Sequence, residues 1–177
     1  SSNDTVPSAL HVAAAVAVAR DLLPSLNLLR ESLEKKSRDF EGIVKIGRTH
    51  LQDATPVGLG QVFSGYAASV QQSRDRVEQA LDGLLELPIG GTAVGTGINT
   101  HPHFGAKVAE ALAHETGLAF HEAQNHFAAH ANRSGVVQMM ATIKSMAVDL
   151  NKIADDIRFL GSGPRCGLGE LKLPSVQ

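Results

Sequence analysis

Ile143-Lys144-Ser145-Met146-Ala147-Val148-Asp149-Leu150-Asn151-Lys152-Ile153-Ala154-Asp155-Asp156-Ile157-Arg158-Phe159-Leu160 reads as a helix from its spacing alone. Ile143, Met146, Leu150, Ile153, Ile157 and Leu160 recur at steps of three and four, so they form one apolar stripe of coiled-coil type. Lys144, Asp149, Lys152 and Asp156 fall on the opposite faces. This stretch predicts the end of the longest helix of the chain, running from near Glu122 to Leu160.

The rest of the chain repeats the pattern. Thr55 as N-cap and Pro56 as first helical residue predict a second long helix reaching about Glu86 through Leu59, Phe63, Tyr66, Val70, Val77, Leu81 and Leu84. Gly58, Gly60, Gly65 and the small Ala67 and Ala68 allow close helix contact along it. Another helix is expected from near Pro7, past a kink at Pro24, to about Glu41, with Gly42 ending it. Gly90, Gly91, Gly95 and Gly97 break the chain before a shorter helix over about 102–115, closed by Gly117. Abundant Ala, 4% aromatics and no Trp fit closely packed helices, so the fold class is all-α, a bundle of long helices. Helices of about 30–40 residues are about 45–60 Å long at 1.5 Å rise each, too elongated for a compact monomer of this size. Ala-rich and Val-rich stripes on such rods therefore predict a bundle shared by several subunits.

Composition narrows the partners. Sixteen Lys and Arg against eighteen Asp and Glu leave a formal net charge of -2 with no basic block, which favours neither nucleic acid nor an anionic membrane surface. The apolar run Val12 to Val18 is shorter than the roughly 20 residues a bilayer span requires, and reads as a packed helix. One cysteine, Cys166, and an opening without a signal-peptide pattern fit a reducing, intracellular setting.

The chemistry concentrates in Lys45-Ile46-Gly47-Arg48-Thr49-His50-Leu51-Gln52-Asp53-Ala54-Thr55-Pro56. An imidazole is the side chain suited to proton transfer at neutral pH, so His50 can take or give a proton, and the Thr49 hydroxyl can hold an anionic or carbonyl oxygen. The plainer alternative is a histidine that ties down a loop by hydrogen bonds. Ser1, Ser2 and Asn3 precede a helix start, where hydroxyls, amides and free backbone N–H groups favour a carboxylate or phosphate. Their plainer reading is N-cap chemistry.

Gly47 to Pro56 resembles the signature of the fumarase/aspartase superfamily, and three further blocks resemble its class II fumarase branch. They are Ser1-Ser2-Asn3-Asp4-Thr5, Leu87-Pro88-Ile89-Gly90-Gly91-Thr92-Ala93-Val94-Gly95-Thr96-Gly97 and Gly161-Ser162-Gly163-Pro164-Arg165-Cys166-Gly167-Leu168-Gly169-Glu170. Ala129-His130-Ala131-Asn132-Arg133 fits more loosely. The resemblance implies that residues 1–177 are the family's central helical domain, which joins others in a homotetramer with a 20-helix core and sites shared between subunits. It implies reversible hydration of fumarate to L-malate, with aspartate ammonia-lyase on the same scaffold, or a non-catalytic oligomerisation scaffold, as alternatives. Carried over residue by residue, His50 is the acid/base residue, while Ser1, Ser2, Asn3 and Thr49 bind substrate. Such a hydration needs no redox cofactor. The chain opens without Met and stops at Gln177, before the mobile loop in which the family carries its catalytic serine and before the glutamate that partners the histidine, so an excised, inactive fragment is expected. The expected compartment is the cytoplasm, or the mitochondrial matrix of a eukaryote.

Other features receive plainer readings. The Gly90–Gly97 stretch lacks a Walker lysine and reads as a structural turn. His126 and His130 share a helix face, but Phe127 stands where a zincin would have Glu, so no metal is expected. His101 and His103 flank Pro102 at a helix start and read as solvated. His11 and His114 read as surface or capping groups, Cys166 as a small loop residue, and Arg48 and Arg165 as loop braces.

Overall fold

A computed structural model describes residues 1–175. Six α-helices dominate: α1 (Ser2–Ala17), α2 (Leu23–Asp39), α3 (Leu59–Leu81), α4 (Phe104–Thr116), α5 (His126–Ala131) and α6 (Ser134–Leu160). Four short strands accompany them: β1 (Val44–Thr49), β2 (Gln52–Gly58), β3 (Glu86–Leu87) and β4 (His121–Glu122). The all-α expectation holds for the architecture, and the strands are its exceptions. Two compact units share the chain, one of Ser1–Leu28 with Arg74–Ile143, the other of Leu29–Ser73 with Lys144–Gln177.

In the first unit α1 starts at Ser2, five residues earlier than Pro7, because the Ser1 hydroxyl accepts the Asn3 amide at 3.3 Å and caps the helix. Asp4, Ser8, His11, Ala15 and Val18 form its buried stripe at steps of three and four. The kink expected at Pro24 takes the form of a π-turn over Val18–Leu22, in which the Leu23 amide donates to the Val18 carbonyl. Pro24 has no N–H and its ring crowds the carbonyl four residues back, so a wider turn just before it relieves both faults. Counting the π-turn, the helix is continuous from Ser2 to Asp39, 38 residues, and by length and composition alone it is long and apolar enough to cross a membrane. This revises the reading based on Val12–Val18. The buried Asp4, Ser8 and His11, each bonded to protein groups, mark it as a helix that packs on a polar-lined core.

His11 is a further correction: it is 8% exposed, and its Nδ1 lies 3.0 Å from the Glu86 carbonyl, which can only accept, so Nδ1 carries the proton. Burial pushes this imidazole below its ordinary pKa. Leu84, Leu87, Val77 and Met139 are buried in the same unit, and β3 pairs in parallel with β4 through Glu86 with His121 and Leu87 with Glu122. α4 ends at Gly117, whose φ of 77° is the left-handed cap expected there. The single helix predicted from Glu122 to Leu160 is divided: β4 takes its start, α5 ends at Ala131, and Asn132 is extended (φ -102°, ψ 151°) before α6 begins. The Arg133 guanidinium donates to the carbonyls of Ala129, His130 and Asn132, satisfying the end of α5. Gly135 then meets Gly83 so closely that a Cβ would lie 2.1 Å from the Gly83 carbonyl oxygen.

In the second unit Met146, Ile153 and Leu160 are buried at seven-residue spacing, with Ile143, Leu150 and Ile157 half-buried beside them, which is the seam the sequence stripe predicts. Asp149 and Asp156 are not on the far face. They flank the seam half-buried, where Asp149 accepts from Ser73 at 2.9 Å and Asp156 from Tyr66 at 3.1 Å. Phe40, Phe63 and Tyr66 pack edge-on in sequence, with centroids 5.1 and 5.5 Å apart. Gly60 allows α3 to approach α2, a Cβ there lying 2.5 Å from the Ser37 carbonyl, whereas Gly65 has open space.

Candidate active site

The segment carrying His50 is a β-hairpin. β1 and β2 pair antiparallel from Val44 with Gly58 to Thr49 with Gln52, so Thr55 and Pro56 lie in a strand, and α3 starts only at Leu59. Cross-strand pairing of Val44 with Gly58, Lys45 with Val57 and Ile46 with Pro56 outweighs the Thr-Pro helix-start signal. Gln61 caps the real helix start by accepting the Gly58 amide at 2.9 Å. The ladder is irregular between Ile46 and Arg48, and a Cβ on Gly47 would lie 2.7 Å from the Thr55 carbonyl, so only glycine fits that bulge.

Between Thr49 and Gln52 the chain turns in two residues, His50 (φ 53°) and Leu51 (φ 62°). Both positive φ values belong to a turn that Asn-Gly fills without strain, and a γ-branched Leu and an imidazole hold it at a cost of about 1–3 kcal/mol each. Both are solvent-exposed, and among the described residues His50 has no hydrogen-bond partner. The loop-tying alternative for His50 therefore fails: the turn displays the ring. Thr49 and His50 line a cleft of about 590 Å³ with Lys45, Arg48, Tyr66 and Asp156. Glu170 braces the hairpin base, accepting from Arg48 at 2.5 Å and ion-pairing with Lys45 at 3.1 Å, and the Arg48 guanidinium holds this carboxyl below its ordinary pKa. Arg48 is thus the brace expected of it, and Glu170 is a site-supporting residue that sequence reading did not isolate.

The opening motif builds a second surface in the first unit. Ser1 serves as N-cap, and the Asn3 side-chain amide donates to the Ala93 carbonyl at 2.7 Å. Asp4, 1% exposed, accepts the Gly90 amide at 3.2 Å and the Thr92 amide at 2.9 Å. Burial alone would push this carboxyl up, but the Thr92 and Gly90 amides work against burial, and the carboxyl lies below its ordinary value. The loop that presents these amides needs φ of 101° at Gly90, 58° at Thr92 and 98° at Gly95. Sequence reading missed Asp4 because its partners lie 86 and 88 residues away. Ser2 and Asn3 line a cleft of about 510 Å³ with Val94, Phe127, His130 and Arg133. The structure thus joins Thr49 with His50, and Ser1 and Ser2 with Asn3, and the two groups belong to different units.

A family model described as lyase matches residues 1–177. The chain belongs to this lyase family, within the fumarase/aspartase superfamily. It is 53% identical over 174 residues to the class II fumarate hydratase of Neisseria meningitidis, covering 98% of this chain and 38% of that protein. It is 56% identical over 174 residues to the mitochondrial fumarate hydratase of Rhizopus oryzae, covering 98% of this chain and 35% of that protein. The crystal structure of a class II fumarase from Schistosoma mansoni superposes with a TM-score of 0.97 at 37% identity, covering all of this chain and 40% of that one. The lyase chain therefore spans a little over a third of the length of the curated relatives it matches.

Three of the other histidines brace a loop or face solvent. His126 Nε2 lies 3.1 Å from the Ile89 carbonyl and 3.2 Å from Glu122 Oε1, bracing the start of the glycine-rich loop. His101 and His103 are exposed with rings 5.5 Å apart. Among the described residues no three His, Cys, Asp or Glu side chains gather as a metal site. Cys166 is a free, exposed loop residue.

Proposed function

We propose that residues 1–177 are the central helical domain of a fumarate hydratase interconverting fumarate and L-malate. The reaction takes a proton from carbon and delivers one to the departing hydroxyl, while the substrate carboxylates stay anionic. His50 is the acid/base group, Thr49 holds a substrate oxygen beside it, and Ser1, Ser2 and Asn3 offer neutral donors to a carboxylate. The observation that carries this reading is the His50–Leu51 turn, which stores strain in order to display an unpartnered imidazole above a cleft edged by cations. Identity of 53–56% to fumarate hydratases over nearly the whole chain supports the substrate.

The partner arrangement is a homotetramer in which sites are assembled from several subunits. Supporting it, Val6 and Leu10 on α1 and Val137, Met140 and Val148 on α6 are exposed, an apolar surface of the kind subunit packing covers. The two halves of the predicted site also sit in separate units, so each is open to completion from another copy. The expected compartment is cytoplasmic or mitochondrial, the latter supported by the name of the Rhizopus relative.

His50→Asn in the full-length enzyme tests the assignment. Asn tolerates the positive φ, so the turn is kept while the proton-transfer group is lost. Turnover of fumarate should fall by about 10²-fold or more with the circular dichroism spectrum unchanged. Near-normal turnover refutes the role of His50, and release of ammonia from aspartate without malate formation from fumarate makes the enzyme an aspartase instead.

A further inference from the structure

The cleft beside Ser2 and Asn3 has a second wall that the reading above does not use. Its key residue is His130, in the last turn of α5. The His130 Nε2 is sealed from solvent and has no hydrogen-bond partner. It is pressed against Gly91, where a Cβ would lie 2.3 Å from it, so the ring's position is set by a glycine. A sealed N–H without an acceptor loses about 1–3 kcal/mol, more than a bare lone pair in the same place. The tautomer assigned from this environment therefore carries its proton on Nδ1. Nδ1 is the ring nitrogen that is not sealed, and His130 lines the cleft, so in this tautomer Nδ1 is the donor the ring offers there.

Two further facts point the same way. Part of the donor capacity of the opening motif is already committed, since one Asn3 side-chain N–H is held by the Ala93 carbonyl. The Arg133 guanidinium lines the same cleft, fixed by the carbonyls of Ala129 and His130 at 2.9 and 3.2 Å and by that of Asn132. An anion entering the cleft thus meets the Ser2 hydroxyl, the second Asn3 N–H and the Nδ1–H of His130, with a positive charge held still nearby.

We infer that His130 is a substrate-binding residue, donating from Nδ1 to the carboxylate that Ser2 and Asn3 hold, with Arg133 supplying the field. This rests on the proposed role of Ser2 and Asn3. Four full-length enzymes separate the possibilities: wild type, S2A, H130A and H130N. Asn places its amide N–H where imidazole Nδ1 stands and leaves the Gly91 side empty. H130A should raise KM for fumarate about tenfold with kcat changed less than threefold, and H130N should recover most of that loss. S2A should raise KM as well. If S2A raises KM while H130A leaves it unchanged, the inference about His130 is wrong and the reading of the opening motif stands. If neither variant changes KM, the cleft is not the carboxylate site and both fall. If H130A and H130N are equally impaired and both melt several degrees lower, His130 is a packing residue and the inference is overturned.

Discussion

Replacing Asp4 by Ala strips the Gly90 and Thr92 amides of a buried acceptor. Each orphaned amide loses about 1–3 kcal/mol, so the pair loses about 2–6 kcal/mol. Removing a buried charge returns part of its desolvation penalty, which leaves a net loss of about 3 kcal/mol. Asp4→Asn keeps an oxygen that can face both amides without the charge, and should lose about 1–2 kcal/mol. Urea unfolding followed by circular dichroism measures both. The pH dependence supplies the sign. The folded-state pKa of Asp4 lies below the ordinary 3.8, so its contribution is complete above that value and is lost as pH falls through the lower, folded one. The stability gap between wild type and Asp4→Asn should therefore narrow below about pH 4, because only the wild type titrates there. A loss under about 0.5 kcal/mol for Asp4→Ala, or a gap that does not change with acid, refutes the view that this carboxylate clamps the glycine-rich loop to the start of α1.

Two more predictions follow from packing and titration. Gly135→Ala places a methyl 2.1 Å from the Gly83 carbonyl oxygen, backbone against backbone, and should lower stability by about 2–3 kcal/mol, whereas Gly65→Ala, in open space, should be neutral or slightly stabilising; equal unfolding midpoints for the two variants contradict this. Tyr66 is the single tyrosine of residues 1–177, which hold no tryptophan, so in a protein of those residues near-ultraviolet phenolate absorbance reports it alone; burial, with the Asp156 carboxylate beside it, pushes its pKa well above the ordinary 10.0. That raised value contributes stability below about pH 10 which is lost as pH rises, so phenolate should appear only in step with unfolding, and a midpoint near 10 in the folded protein rules this out.

Helix content was legible because a buried face needs apolar residues every three to four positions, as in Met146, Ile153 and Leu160, whatever they pack against. The hairpin was not, since Thr55-Pro56 is a helix-entry signal locally and becomes a strand only because Ile46 pairs with Pro56 and Lys45 with Val57. Likewise nothing near Asn132 announces the break between α5 and α6, which depends on Arg133 turning back to cap three carbonyls. In the candidate site, the residue types His50, Thr49, Ser1, Ser2 and Asn3 carried their chemistry on their face. Their supports, Asp4 and Glu170, did not, because a carboxylate in sequence looks the same whether it is solvated or clamps a loop far along the chain.

The order of residues by itself determined the long amphipathic helices, the breaks at Gly117 and the glycine-rich loop, and a titratable imidazole next to a hydroxyl, all of which depend on neighbours a few positions away. Tertiary structure alone decided that His50 stands at a strained two-residue turn, that Asp4 holds the amides of Gly90 and Thr92, and that His130 is pressed on Gly91. Those contacts join segments up to 122 residues apart, as Arg48 and Glu170 do. Short-range periodicity carries no information about which distant amide a carboxylate will meet, since that is settled only when the helices have packed.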